Sequence, residues 1–169
     1  LNANTVNASK IKGVNSLYPA LITGHDAGID FDNGGSGSKV ELENVDYQGA
    51  LTTNGTGHDI QLDGDCEFDA VTIASGDTLD LNGQRMTTSG RLSGSGTFTG
   101  TNGLLSVADL RTDGFSSFDL QNTDIMFNAS CSPRMNGSPS NKARTMFVQA
   151  GDVVGMARAT TTVNNVIAA

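Results

Sequence analysis

Apolar and polar residues alternate in short blocks that recur along this chain every 19 or 20 residues. Each block begins with an apolar residue, continues with a polar one and, in four of the five, places a second apolar residue third. This alternation has the period of a β-strand with one wet face. The blocks are VELEN from Val40, IQLDG from Ile60, LDLNG from Leu79, FTGTN from Phe98 and FDLQN from Phe118.

The fifth position of every block is Asn or Gly, the two residue types that most readily accept a positive φ. Each strand is therefore expected to end in the same sharp corner. An antiparallel sandwich with evenly spaced hairpins is the alternative, but a sandwich has no reason to align one turn residue five times. The corner residues are Asn44, Gly64, Gly83, Asn102 and Asn122.

A fixed repeat near 20 residues without a helical pattern is typical of a solenoid, in which each coil of chain stacks on the one before. We therefore predict an all-β chain folded as a right-handed parallel β-helix. Weaker apolar periodicity after each block predicts three short strands and three corners in every coil.

Three segments follow from where the repeat holds. Residues 1–24 are rich in Asn, lack the repeat and are predicted to be an N-terminal arm, and residues 25–130 are the stacked body. The segment from Gly28 to Gly35 is predicted to add a strand and a corner before the first block. Residues 131–169 are predicted to contain two or more strands around a turn at 150–152. Because a β-helix has open edges, the terminal segments are expected to cap the stack, form a subunit interface, or both.

Charge is divided unevenly along the chain. Residues 14–130 carry 17 acids against 4 bases, a net charge of −13, whereas residues 1–13 carry +2 and residues 131–169 carry +3. An acidic body repels nucleic acid and anionic membranes, so neither is predicted as a partner. No apolar run is long enough to cross a bilayer, which predicts a soluble protein. The basic ends either dock on an acidic protein surface or are solvated tails, and the candidate docking residues are Lys10, Lys12, Arg134, Lys142, Arg144 and Arg158.

One acidic cluster is a candidate for chemistry, because glycosidic cleavage needs two carboxyl groups across a cleft. Sugar grooves usually present aromatic platforms, however, and this chain has no Trp and 2 Tyr. A solvated acidic edge is therefore favoured over an active site, and no catalytic residue, metal site or cofactor is predicted. A bound divalent cation is the weaker possibility, since Glu43 and Asp63 should stack in adjacent coils and repel each other unless they are screened. The cluster consists of Asp63, Asp65, Glu67 and Asp69.

The remaining reactive residue types receive structural interpretations. His25 and His58 each precede an aspartate, but no motif supplies a nucleophile, and both are predicted to be surface turn residues. Two cysteines are too few for a disulfide framework. Cys66 lies in a strand pattern and is predicted to be a small core residue.

The run from Thr72 to Gly100, TIASGDTLDLNGQRMTTSGRLSGSGTFTG, resembles the short-coil β-helices of bacteriophage virion proteins and bacterial surface adhesins. The resemblance covers roughly residues 25–130 and is architectural, so it bears on fold more than on function. Among phage β-helices, tail spikes are long trimers that bind or cut polysaccharide, while head decoration or cement proteins are short trimers on the capsid lattice.

The short length, acidic body and basic ends make this chain more similar to the decoration proteins. That resemblance implies a non-enzymatic homotrimer on the outer surface of a virion, bound to the major capsid protein. One alternative is a receptor-binding tail spike or adhesin module that recognises a glycan. The other is a polysaccharide-cleaving β-helix enzyme.

Overall fold

The computed structural model describes residues 10–13, 20–22, 39–53, 55, 57–135, 142–149 and 162–168. These residues form strands, turns and irregular segments, without any helix. The strands are β1 (Lys10–Lys12), β2 (Ala20–Ile22), β3 (Lys39–Glu43), β4 (Val45–Thr52), β5 (Asp59–Leu62), β6 (Cys66–Ile73), β7 (Thr78–Asp80), β8 (Arg85–Gly94), β9 (Thr97–Thr99), β10 (Leu104–Leu110), β11 (Ser117–Asp119), β12 (Asp124–Phe127), β13 (Lys142–Val148) and β14 (Thr162–Ala168).

The strands pair in parallel and build two sheets. One has six strands in the order β1-β3-β5-β7-β9-β11, and the other has eight in the order β14-β13-β12-β10-β8-β6-β4-β2. Successive strands of the body alternate between the sheets, so each coil adds one rung to both. The predicted parallel β-helix is confirmed, and the antiparallel sandwich is excluded by the pairing.

The repeated blocks of the sequence lie in register on the six-stranded sheet. Val40 pairs with Ile60, Ile60 with Leu79, Leu79 with Phe98, and Phe98 with Phe118. The first four side chains of this column are at most 1% exposed. The rings of Phe98 and Phe118 stack with centroids 4.7 Å apart. Alternation in the sequence therefore produces a continuous column of core side chains.

The prediction of three strands per coil is wrong, because each body coil contains two. The second and third predicted strands are the halves of one long strand in the eight-stranded sheet. In β4, β6, β8 and β10 the register shifts partway along, for example between Tyr47 and Ala50. An extra residue at such a bulge bends the strand. Close packing at the bend excludes a side chain at Gly90, where a Cβ would lie 2.7 Å from the carbonyl oxygen of Asp69.

Cys66 is a core residue, as the sequence predicts. It is 3% exposed, and its thiol lies 3.4 Å from the carbonyl oxygen of Gly64. Burial raises the pKa of this thiol to about 12, so the group stays protonated at neutral pH.

The predicted corner is confirmed at four positions and wrong at one. Positive φ angles of 53°, 79°, 61° and 62° occur at Asn44, Gly83, Asn102 and Asn122. Gly64 has no positive φ, and its small size is required for another reason. A Cβ there would lie 2.9 Å from the backbone nitrogen of Asn44 in the neighbouring coil.

Strands from both terminal segments extend the stack. At one end, β1 pairs with β3 and β2 pairs with β4. At the other end, β13 pairs with β12 and β14 pairs with β13, which confirms the two strands expected after residue 131. The turn expected at 150–152, the strand expected between Gly28 and Gly35, and His25 lie outside the described residues.

Candidate functional site

The acidic flank of the first coils is neutralised by lysines of the same chain. Lys10 Nζ lies 3.0 Å from a carboxylate oxygen of Glu41 and 3.4 Å from oxygens of both Glu43 and Asp63. This contact is possible because β1 pairs with β3, which places Lys10 beside Glu41. The expected repulsion between Glu43 and Asp63 is therefore screened by a lysine of the adjacent rung.

Two further lysines extend this network. Lys12 Nζ lies 2.9 Å from Glu43, and Lys39 Nζ lies 2.9 Å from Glu41. Hydrogen bonds from Lys39 and Lys10 lower the pKa of Glu41 to about 2. All these groups face solvent, where a single ion pair contributes little to stability. The network nevertheless offsets the negative charge on this part of the surface with three lysines.

The other described candidate cations also have partners within the chain. Arg144 Nε donates to Asp124 at 2.9 Å, and Arg134 lies 3.7 Å from Asp113. Both arginine side chains remain about half exposed, at 51%, and can contact another molecule without breaking these pairs. The side chain of Lys142 and all of Arg158 lie outside the described residues.

The structure does not bring the candidate docking residues together into one patch. Lys10 and Lys12 lie on β1, at one edge of the six-stranded sheet. Arg144 lies on β13, next to the opposite edge of the eight-stranded sheet. A docking role for all six residues therefore implies contacts at both ends of the stack.

The acidic cluster does not form a single cleft. Asp63 accepts a hydrogen bond from Gln61 at 2.8 Å, and Asp69 accepts one from Ser89 at 3.3 Å. Asp65 accepts one from the backbone nitrogen of Arg85 at 3.0 Å. A shallow depression of about 100 Å³ includes only two of the four acids, and it is lined by Val45, Asp46, Asp65, Cys66, Glu67, Arg85 and Thr87.

Cation binding by these acids finds no support in the described part of the chain, where no three His, Cys, Asp or Glu side chains are placed to hold a metal ion together. Lysine and arginine side chains supply the compensating positive charge instead. Asp63 contacts Lys10, and Asp65 lies 3.5 Å from the guanidinium of Arg85.

A buried aspartate that sequence reasoning missed organises the corner between β4 and β5. Asp77 is 1% exposed and accepts hydrogen bonds from the backbone nitrogens of Gly55 at 2.7 Å, Gly57 at 2.8 Å and His58 at 2.9 Å. Burial alone raises the pKa of Asp77, but hydrogen bonds from Thr53 and these amides outweigh it and lower the pKa overall. Asp77 therefore holds the preceding coil as a charged carboxylate.

The prediction that His58 is a surface residue is wrong. His58 is fully buried rather than a surface turn residue. Its position in the coil corresponds to Asp77, Gly96 and Ser116 in the following coils, through the backbone bonds that link Thr78 to His58 and Thr97 to Asp77. These four residue types share no chemistry, so alignment of the repeats gives no signal for this buried site.

The most exposed apolar side chains of the described residues lie at one end of the stack. Val166 and Ile167 on β14 are 66% and 47% exposed. Val166 pairs in register with Met146, which pairs with Ile125, and those two residues are 4% and 0% exposed. The core column of the eight-stranded sheet thus continues to an open last rung.

Comparisons with known protein families, with curated proteins and with solved structures find no match to this chain. The described residues form no helix that is long and apolar enough to cross a membrane.

Proposed function

We propose that this chain is a non-enzymatic structural protein that decorates and stabilises the outer surface of a bacteriophage capsid by binding the major capsid protein. The observation that carries the proposal is the position of the exposed apolar side chains. Val166 and Ile167 lie together on the last described rung. A stack with a polar side and one apolar end suits a component of a larger assembly, in which that end contacts another protein subunit.

The sides of the stack support this interpretation. One outward column of the six-stranded sheet is polar on every rung, and its members Lys10 and Glu41 pair with charged neighbours of the same chain. Such a surface is well solvated and offers little apolar area to a partner. The column consists of Lys10, Glu41, Gln61, Asp80, Thr99 and Asp119.

The core supports a mechanical role. Parallel ladders connect each coil to the next, and apolar columns fill the interior along the body. A module of this kind adds buried area wherever it bridges neighbouring subunits of a shell. Its own rigidity limits the conformational entropy that is lost on binding.

Copy number per particle tests the proposal directly. Quantitative mass spectrometry of purified virions would compare this chain with the major structural protein. We expect about one copy per shell subunit, or a simple fraction of that number, as a lattice role requires. A few to about two dozen copies would instead indicate a tail spike or fibre. Absence from the particles would contradict the proposal and favour a glycan-binding or glycan-cleaving protein.

A matched pair of variants tests the docking role of Arg144. Arg144→Gln removes the cation, whereas Asp124→Asn removes its partner within the chain and leaves the arginine in place. If Arg144 binds the shell, Arg144→Gln should lower occupancy on particles severalfold and Asp124→Asn should not. Equal losses would mean that the pair serves the fold of β13 rather than docking.

A further inference from the structure

The last described strand has the features of an interaction edge. β14 spans seven residues, Thr162–Ala168, and contains no charged residue. One side of the strand pairs with β13, and its other side is the edge of the eight-stranded sheet. An uncharged strand edge with exposed apolar side chains is a template for pairing with another strand.

The opposite end of the stack is protected in ways that β14 lacks. On the six-stranded sheet, the edge strand β1 carries the exposed side chains of Lys10 and Lys12. On the eight-stranded sheet, the edge strand β2 is only three residues long. Lysines and short edge strands are two common devices that prevent edge pairing. Selective exposure at β14 therefore points to a partner at this end.

We infer that β14 pairs edge to edge with β14 of a second copy of this chain, antiparallel and about a two-fold axis. Centred on Asn165, this pairing sets Thr162 opposite Ala168 and Val163 opposite Ile167. It brings no charged residue opposite another. Because both strands are the same, they match in length over all seven residues, and the contact is closed and self-complementary.

Electrostatics favours this arrangement over lateral association. Each body carries a net charge of −13 over residues 14–130, from 17 acids and 4 bases. Side-by-side packing would bring the two acidic bodies together, and like charges repel over about 10 Å at ordinary ionic strength. Pairing through β14 places the two bodies at opposite ends of the complex.

A head-to-tail contact between β14 and β2 of another copy fits less well. The two strands differ in length, with seven residues against three, so most of the β14 edge would stay unpaired. Such a contact would also repeat without closing and would produce filaments. The geometry therefore favours two copies over an open chain.

The test uses purified protein alone, so its result is separate from the question of attachment to a shell. Light scattering coupled to size exclusion would give the mass over a wide range of concentration. We expect a dimer that dissociates on dilution. Val166→Asp and Ile167→Asp should each weaken it at least tenfold, since the first sets the two new carboxylates diagonally across the paired strands and the second sets a carboxylate opposite the apolar Val163 of the other copy. Thr72→Asp is the matched control, because Thr72 is an exposed strand residue of the body, and it should leave the dimer intact.

Hydrogen exchange of the β14 amides supplies a second readout that does not depend on variants. Pairing should protect the β14 amides that do not bond to β13 at high concentration and expose them on dilution, while the amides of β6 stay protected throughout. A monomer at all concentrations would overturn the inference. So would the trimer that the resemblance to decoration proteins implies, or a dimer that Val166→Asp leaves unchanged.

Discussion

Each body coil turns at two corners, and the two are built by different means. The corner that leads from the six-stranded to the eight-stranded sheet, here the repeated corner, uses backbone conformation. In three successive coils it contains two adjacent residues with positive φ: Asn82 and Gly83, Thr101 and Asn102, and Gln121 and Asn122. The corner that leads back, here the irregular corner, comprises residues 53–58, 74–77, 95–96 and 111–116 and differs from coil to coil.

The irregular corner depends on contacts between coils. Positive φ occurs there at Gly55, Gly57 and Gly76. Gly57 and Gly76 occupy the same position in two successive coils, but Ser95 and Phe115, at that position in the next two, have no positive φ. Gly96 has no positive φ and is needed for space, because a Cβ would lie 2.3 Å from the carbonyl oxygen of Ala74. At Gly83 the reverse holds, since φ is 79° and the nearest contact for a Cβ is 3.7 Å away. One corner is therefore specified locally and the other by the stack around it.

The largest expected effect comes from filling the irregular corner. In Gly96→Ala the added methyl meets backbone oxygens of both Ala74 and Asp77, at 2.3 Å and 2.5 Å, and neither can rotate away. We expect a loss of about 3 kcal/mol or more in the free energy of unfolding, measured with urea. Gly83→Ala is the control for the same methyl group in open space. Equal losses in the two variants would show that the corners do not differ in this way.

The next effect concerns the buried carboxylate of the irregular corner. Asp77→Ala leaves the amides of Gly55, Gly57 and His58 without their acceptor. Unpaired buried amides are costly, so we expect a loss of about 2 to 3 kcal/mol in the free energy of unfolding. Asp59→Ala, at an exposed position on β5, is the control and should change the free energy of unfolding by less than about 0.5 kcal/mol. A loss at Asp77 as small as that at Asp59 would refute the role assigned to this carboxylate.

A smaller effect is expected at the repeated corner. Gly83→Ala places a side chain at a φ of 79°, where non-glycine residues are strained. We expect a loss of about 1 kcal/mol in the free energy of unfolding. Asn102→Gly should stay within about 0.5 kcal/mol of the parent, because glycine also adopts this φ readily. A Gly83→Ala variant as stable as the parent would mean that the corner relaxes to another conformation.

This difference between the corners explains what the sequence could predict. Asn and Gly recur at the repeated corner because a positive φ depends mainly on the residue type at that one position. Their regular spacing in the sequence therefore predicts the corner. Asp77 acts on residues about 20 positions earlier, and its counterparts in other coils are His58, Gly96 and Ser116. No repeated residue type marks that site, so the pattern of the sequence does not reveal it.

The candidate docking residues also show what the sequence can and cannot predict. The order of charged residues in the sequence shows that the charge is unevenly distributed along the chain. It does not show which acid each lysine or arginine contacts. Lys10 reaches Glu41 and Asp63 because β1 adds a rung to the six-stranded sheet, whereas its sequence carries no repeat. Pairing across coils depends on register, which a segment without the repeat does not disclose.

The smallest expected effect concerns how the stability of the fold depends on pH. It compares the buried carboxylate of Asp77 with the exposed carboxylate of Glu41. The folded protein has a lowered pKa at both Asp77 and Glu41, to about 2 at Glu41. The unfolded values are about 3.9 for Asp and 4.3 for Glu. A lowered folded pKa stabilises the protein above the unfolded pKa, and this stabilisation is lost as the pH falls towards the folded pKa.

The free energy of unfolding, measured with urea between pH 5 and pH 2, should therefore fall less steeply with acid in Asp77→Asn and in Glu41→Gln than in the parent.

The two variants should respond differently to salt. Glu41 is held by exposed lysines, so about 0.5 M NaCl should remove most of its contribution. Asp77 is held by buried amides, and salt should leave its contribution in place. A salt response at Asp77 equal to that at Glu41 would mean that the irregular corner is open to solvent, and that its carboxylate stabilises the fold no differently from an ion pair on the surface.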